Sequence, residues 1–290
     1  MAGMGTATTS TERSRWWRSA DGAVEAMRAD FRSHTFPLHI HGTYSFGITD
    51  GGAQAFRCRG EGHVSAAGLV MAFNPDDPHD GHAADLGGYR YRMLHIAESA
   101  VRGALGGDGA VPLPLFAEPV LDAPRLGRAL ARLHAAVEGG ADRLVVDERV
   151  VAAVRGMVSG AATRAAPGVP RQAAGPGDAV AARARAVLEE RWAEDLAPEE
   201  LARLAGAGSR FALYRAFRGR YGMAPSEFRR DLRLRRARGL LRGRDGMPLV
   251  DVAAVTGFAD QAHLTRWFTR VYGVTPGEYR AARGGPSSPP

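Results

Sequence analysis

Gly257–Arg280 reads "GFADQAHLTRWFTRVYGVTPGEYR", and fifty-one positions earlier Gly206–Arg229 reads "GAGSRFALYRAFRGRYGMAPSEFR". At this offset Gly206, Leu213, Arg215 and Phe217 match Gly257, Leu264, Arg266 and Phe268. Tyr221, Gly222, Pro225, Glu227 and Arg229 match Tyr272, Gly273, Pro276, Glu278 and Arg280. The offset also pairs Ser209 with Asp260, two good N-caps that each follow a tight turn. A short helix with Pro at its first position, Pro198 to Ala205, precedes the first turn. A short helix, a tight turn and a capped second helix make a helix-turn-helix, here written twice.

In such a unit the start of the second helix enters the DNA major groove while the first helix supports it. Leu213 and Phe217 stand four apart and share the buried face, as do Leu264 and Phe268. Arg210, Phe211, Tyr214, Arg215 and Arg218 are left free in the first unit, and Gln261, Ala262, His263, Thr265 and Arg266 in the second. Arg and Gln at such places distinguish guanine and adenine edges by paired hydrogen bonds. Between the units, "SEFRRDLRLRRARGLLR" predicts one helix from about Ser226 to Arg242. It is roughly 25 Å long, a rod that can hold two readers about one DNA turn, or 34 Å, apart. Its Arg229, Arg230, Arg233 and Arg236 suit phosphate contacts, or none, better than base reading.

Charge agrees with a nucleic-acid partner. The chain of 290 residues has a net charge of +7, and all 38 basic residues are arginine. Residues 1–177 hold 18 arginines and 18 acids, so the whole excess lies in residues 178–290. Arg203–Arg244 alone holds 13 arginines against Glu227 and Asp231, the footprint of a nucleic-acid binder. RNA is disfavoured, because the stacking sheet and loop motifs of RNA modules are missing. No apolar run reaches the roughly 18 residues of a membrane span, and the N-terminus lacks the apolar stretch of a signal peptide. Cys58 is the single cysteine, so no intrachain disulfide can form. A cytoplasmic protein without a membrane partner is expected.

Residues 180–283 resemble the DNA-binding domain of the AraC/XylS family of transcription regulators. The resemblance is carried by "LARLAGAGSRFALYRAFRGRYGMAPSEFRRDLRLRRARGLL" and "DVAAVTGFADQAHLTRWFTRVYGVTPGEYR". It implies two helix-turn-helix subdomains joined by a helix, with base-reading positions at Phe211, Tyr214 and Arg215, then Gln261, Ala262 and Arg266. The family often has basic residues where this chain has Trp267 and Thr269, and Ala262 is too small for a polar base contact. The first unit is therefore expected to hold DNA harder.

The front half has another grammar. Between Phe36 and Ile96, short alternating runs such as "PLHIHGTYSFGITD" and "GYRYRMLHI" are broken by Gly, Pro and Asp, which predicts a sandwich or barrel. The spacing of His39, His41 and His79 is similar to that of a cupin barrel, which AraC-type regulators often carry as effector sensor. Metal-dependent cupins add a Glu shortly after the first pair and a later Asn, and both are missing here. No metal or cofactor is expected, with His39, His41 and His79 as the candidate ligands if one is held. Inward side chains of an effector pocket are predicted to be His39, His41, Tyr44, Phe46, Phe73, His79 and Tyr91.

The fold class expected is α+β and multidomain. Its parts are an N-terminal arm, partly disordered (1–35), a cupin-like jelly-roll barrel (36–121) and a helical pair that resembles the family's dimerising helices (122–160). A flexible linker (161–177), the all-α double helix-turn-helix (178–284) and a disordered tail (285–290) complete it. The function expected is that of a regulator, not an enzyme, that binds double-stranded promoter DNA under control of a small-molecule effector. A homodimer is expected, with RNA polymerase as a further partner. The competing reading is a metal-dependent cupin enzyme with an appended DNA-binding domain.

Overall fold

The computed structural model describes residues 12–106, 112–160, 176–243 and 246–282. Strands β1 (Arg13–Arg18), β2 (Val24–Phe31), β3 (Phe36–His39), β4 (Thr43–Cys58), β5 (Glu61–Ala66), β6 (Val70–Phe73), β7 (His79–Ala83) and β8 (Tyr89–Ala97) come first. Helix α1 (Glu98–Ala104) and strand β9 (Val120–Leu121) lead to α2 (Pro124–Glu138) and α3 (Arg143–Gly160). The rest is helical: α4 (Pro176–Glu190), α5 (Pro198–Leu204), α6 (Arg210–Tyr221), α7 (Pro225–Arg242), α8 (Leu249–Val255), α9 (Gln261–Tyr272) and α10 (Pro276–Ala281).

One path of antiparallel strands runs β1-β2-β8-β4-β6-β9, and β3 pairs β7. The long β4 joins the two layers: its first half pairs β8 and β6, and its second half pairs β5 and β7. Helices α2 and α3 cover the outer face of the first layer. Leu126, Leu130, Leu133 and Val137 pack there with Tyr44, Phe46, Leu94 and Ile96.

The segment expected as an arm, residues 1–35, instead supplies two paired strands, β1 and β2. Its alternation is masked because Glu25, a charged residue, is buried among Val24, Ala26 and Met27. A strand pattern with an acid inside reads as polar until the acid's partners are known. The linker expected at 161–177 lies outside the described residues up to 175, and Pro176 and Gly177 open α4. The tail 285–290 also lies outside them.

In the helical half, Ser209 accepts the backbone N–H of Ala212, and Asp260 accepts that of His263. Both caps sit where the repeat puts them. The matched glycines Gly222 and Gly273 end α6 and α9 with φ of 71° and 69°, a left-handed turn that glycine adopts without strain. Both turns rest on the barrel. A Cβ at Gly273 would come within 2.9 Å of the Phe31 ring, and one at Gly222 within 3.1 Å of Pro78.

Candidate functional site

The helical half seats on the open end of the barrel, and the core continues across the junction. Trp16, Phe31, Phe36, Phe73 and Tyr91 of the barrel pack in one cluster with Leu264, Phe268, Val271, Tyr272 and Tyr279. Ser14 Oγ donates to Gly273 O at 2.6 Å, and the Trp16 indole N–H donates to Tyr272 O at 3.2 Å. The Ile40 N–H donates to Asp231 Oδ2 at 3.0 Å.

At the centre lies Glu25, 2% exposed. Its carboxylate accepts from Arg238 and Arg242 of α7 and from the Tyr279 hydroxyl of α10, and Arg18 stands beside it. Burial alone would raise its pKa, but Arg238, Arg242, the Tyr279 hydrogen bond and Arg18 outweigh that and hold it below 4.5. Asp231 differs. Burial pushes its carboxyl up to about 7 despite Arg230 and Arg235, and its Oδ1 has no hydrogen-bond partner.

At this junction is a cavity of about 30 Å³, lined by His39, His41, Phe73, His79 and Tyr91 of the barrel and by Val271 and Tyr272 of α9. The three predicted histidines converge, each offering one ring nitrogen within 4.8 Å of the others. His95, which the sequence reading missed, joins them, its ring centre 4.6 Å from that of His41. Burial drives all four imidazoles to the neutral form: His39 is lowered to about 4 and the others fall well below 6.5. The strand period was the available signal, since Tyr91, Met93 and His95 share a parity on β8 and all line the cavity. Trp16 and Met27, also in the wall, belong to β1 and β2, in the segment expected as an arm.

Tyr44 and Phe46 do not reach this cavity. They sit on the opposite face of β4, toward α2 and α3, where Tyr44 donates to Pro114 O at 2.8 Å and Phe46 packs on Phe116. Both faces of the strand are covered, so hydrophobicity alone does not tell inside from outside.

On α6, Arg210, Phe211, Tyr214, Arg215 and Arg218 are exposed along one side, with Leu213 and Phe217 buried beneath. Phe211 is 62% exposed, far more than a core role would leave it. Arg210 pairs with Glu199 at 2.8 Å, and Arg218 donates to the Tyr214 hydroxyl at 3.1 Å. Arg215 has no ion pair among the described residues. On α9, Gln261, Ala262 and Arg266 are exposed, whereas His263 and Thr265 are half-buried.

The α7 arginines, expected to contact phosphates or nothing, are engaged within the protein. Arg233 donates to four backbone carbonyls, of Trp192, Ala193, Glu194 and Gly257, and so ties α7 to both units. Arg230 stacks on Trp267 at 4.0 Å, Arg236 lies over Trp192, and Arg229 donates to Leu196 O and pairs with Asp195.

Two family models match the chain in succession: an AraC-like ligand binding domain over residues 21–154 and a helix-turn-helix domain over residues 201–282. The chain belongs to the AraC family of transcription regulators. It is a DNA-binding transcription regulator with an N-terminal ligand-binding domain. A relative in Bacillus subtilis, the HTH-type regulator YbfI, itself uncharacterized, is 28% identical over 243 residues, 83% of this chain and 86% of its own. The activator RhaR of Yersinia pseudotuberculosis is 41% identical over 69 residues, 24% of this chain and 23% of its own. Among solved structures, a point variant of apo ToxT from Vibrio cholerae matches with a TM-score of 0.57 at 11% identity, covering 91% of this chain and 99% of that one. That likeness shows the fold of an AraC-type regulator over nearly the whole chain. No described helix is long and apolar enough to cross a membrane.

Proposed function

We propose that this AraC-type regulator senses a small-molecule effector in the cavity between the barrel and the reader, and that effector binding changes how the reader sits. One observation carries the reading: the cavity that holds the barrel histidines is also lined by Val271 and Tyr272, the last two residues of helix α9. An effector there touches the DNA-reading unit directly. A ligand shifts such an equilibrium only by its differential affinity for the two arrangements, and contact with both partners supplies one. ToxT, which has the same fold, has been solved with an unsaturated fatty acid bound. The effector contacts assigned are His39, His41, Phe73, His79 and Tyr91, with His95 and Trp16 added.

The DNA contacts assigned are Arg210, Phe211, Tyr214, Arg215 and Arg218 on α6 and Gln261, Ala262, His263, Thr265 and Arg266 on α9. The target is double-stranded promoter DNA in the cytoplasm, with RNA polymerase as a further partner. The chain is assigned the role of a regulator and not of an enzyme; the relatives it matches are named as transcription regulators.

A homodimer through α3 fits its outer face. Leu144 and Val158 are 69% and 47% exposed, and Val151 lies midway between them. In an antiparallel pair of α3 helices centred on Val151, Leu144 meets Val158 of the second copy and Glu148 meets Arg155. Neither Glu148 nor Arg155 has a salt bridge among the described residues, so each charge is free to pair across a two-fold axis.

Selection of bound sequences from random DNA by the purified protein, repeated at rising salt, tests the reading. A defined motif with steeply salt-dependent affinity is expected. Binding without sequence preference would overturn it.

A further inference from the structure

We propose that His39, His41 and His79 form a binding site for one divalent transition-metal ion, and that this ion is the effector sensed at the barrel mouth. The second half of the proposal rests on the sensor reading above; the first half does not.

For two of the three histidines the tautomer leaves Nε2 free as a ligand atom. His39 Nδ1 lies 2.7 Å from Pro37 O, and His79 Nδ1 lies 2.8 Å from Asp77 O. A carbonyl oxygen only accepts, so each Nδ1 carries the proton and each neutral ring keeps its lone pair on Nε2. Metal-bound histidines are held in this way by a second hydrogen bond from the other ring nitrogen. His79 is further fixed by stacking on Phe73, with ring centres 3.9 Å apart and planes 5° apart.

The space fits an ion better than an organic effector. A cavity of about 30 Å³ holds one or two water-sized guests. Nitrogens on a common tetrahedral ion at about 2.1 Å stand roughly 3.4 Å from one another, so the present separations of up to 4.8 Å close by ring movements of about 1 Å. Three imidazoles without a thiolate or a bound carboxylate select zinc, cobalt, nickel or copper over calcium and magnesium. The ion would also be felt by the reader. The Arg238 guanidinium lies over the Trp16 and Tyr272 rings that help to wall the cavity, and Trp16 stacks on His95 beside His41. A dication at His41 repels that guanidinium, so binding loosens the junction.

The test uses tag-free, full-length protein dialysed against chelator and titrated with Co²⁺, then with Zn²⁺ in competition. One equivalent of Co²⁺ is expected, with visible bands of a nitrogen-ligated ion and no thiolate charge-transfer band. His39→Ala and His79→Ala should each lower the affinity by about 100-fold or more, since loss of even an outer-shell partner of a ligand costs roughly 10–100-fold. His79→Gln, with folding followed by circular dichroism, serves if the alanine variant unfolds. Failure of the wild type to take up one equivalent, or unchanged uptake in the folded variants, would overturn the site. DNA binding by the same metal-free and Co²⁺-loaded samples separates the two halves. A change in affinity or footprint on loading supports the effector role, and equal DNA binding with a filled site overturns that role alone. Sequence-specific binding by the metal-free protein keeps the DNA reading standing in either case.

Discussion

Glu25 of the second barrel strand and Arg238 of the helix between the two readers form a buried ion pair across 213 positions of sequence. The carboxylate is shared with Arg242, Arg18 and the Tyr279 hydroxyl, so one acid joins β1, β2, α7 and α10. The junction is thus polar at its centre and aromatic around it. Such a joint is specific in geometry and sensitive to the loss of one partner.

Glu25→Ala leaves the Arg238 guanidinium buried without its counter-charge. Breaking a buried pair in this way costs about 3–5 kcal/mol. Denaturant unfolding should show the reader separating from the barrel at lower urea, as a second transition ahead of the first. A single transition at the wild-type midpoint would show that the pair does not hold the junction. Glu25 is held below 4.5 in the folded protein, so its contribution is present above that value and is lost as pH falls through the depressed value. The junction therefore holds across neutral pH.

Asp231 has the opposite sign. Its folded pKa is raised to about 7 from 3.8, so between these values the folded state keeps a proton that the unfolded state releases. Stability falls as pH rises from about 4 to 7 and is then level. Asp231→Asn keeps an oxygen to accept the Ile40 N–H and removes the buried charge. It should raise stability at pH 8 by roughly 2–4 kcal/mol and flatten the slope between pH 4 and 7. Equal pH profiles of variant and parent in urea unfolding would refute this account.

The reader units were legible because their geometry is local. Caps at Ser209 and Asp260, the glycines Gly222 and Gly273, and the four-residue spacing of Leu213 and Phe217 and of Leu264 and Phe268 all act within one turn or two. The junction was not legible for the converse reason. Nothing near Glu25 says that its partners are Arg238 and Tyr279, and without them a strand with an acid inside reads as an arm. Tyr44 and Phe46 went to the wrong side of β4 because α2 and α3 cover its outer face and make both parities apolar. His95 was within reach, one strand period beyond Met93 and two beyond Tyr91.

Arg215 is exposed on the face of α6 proposed to read DNA and has no ion pair among the described residues. Arg215→Ala should weaken specific binding by about 1–3 kcal/mol and relax one base position. Arg266→Ala should cost less, since α9 offers fewer polar contacts beside it. Binding-site selection with both variants checks the order. An unchanged motif for Arg215→Ala would remove that residue from the base-reading set.

The α3 face makes a reciprocal claim. If Glu148 of one copy meets Arg155 of the other, Glu148→Arg sets two arginines against each other at both ends of the two-fold contact, and Arg155→Glu sets two acids. Each reversal should weaken the dimer by about 1–2 kcal/mol over two partly exposed pairs, seen as a rise in the dissociation constant by sedimentation equilibrium. The double variant Glu148→Arg, Arg155→Glu restores opposite charges in exchanged places and should recover most of the affinity. Recovery is the decisive result, because it cannot arise from damage to the fold. Two single variants that dimerise like the parent would place the interface elsewhere.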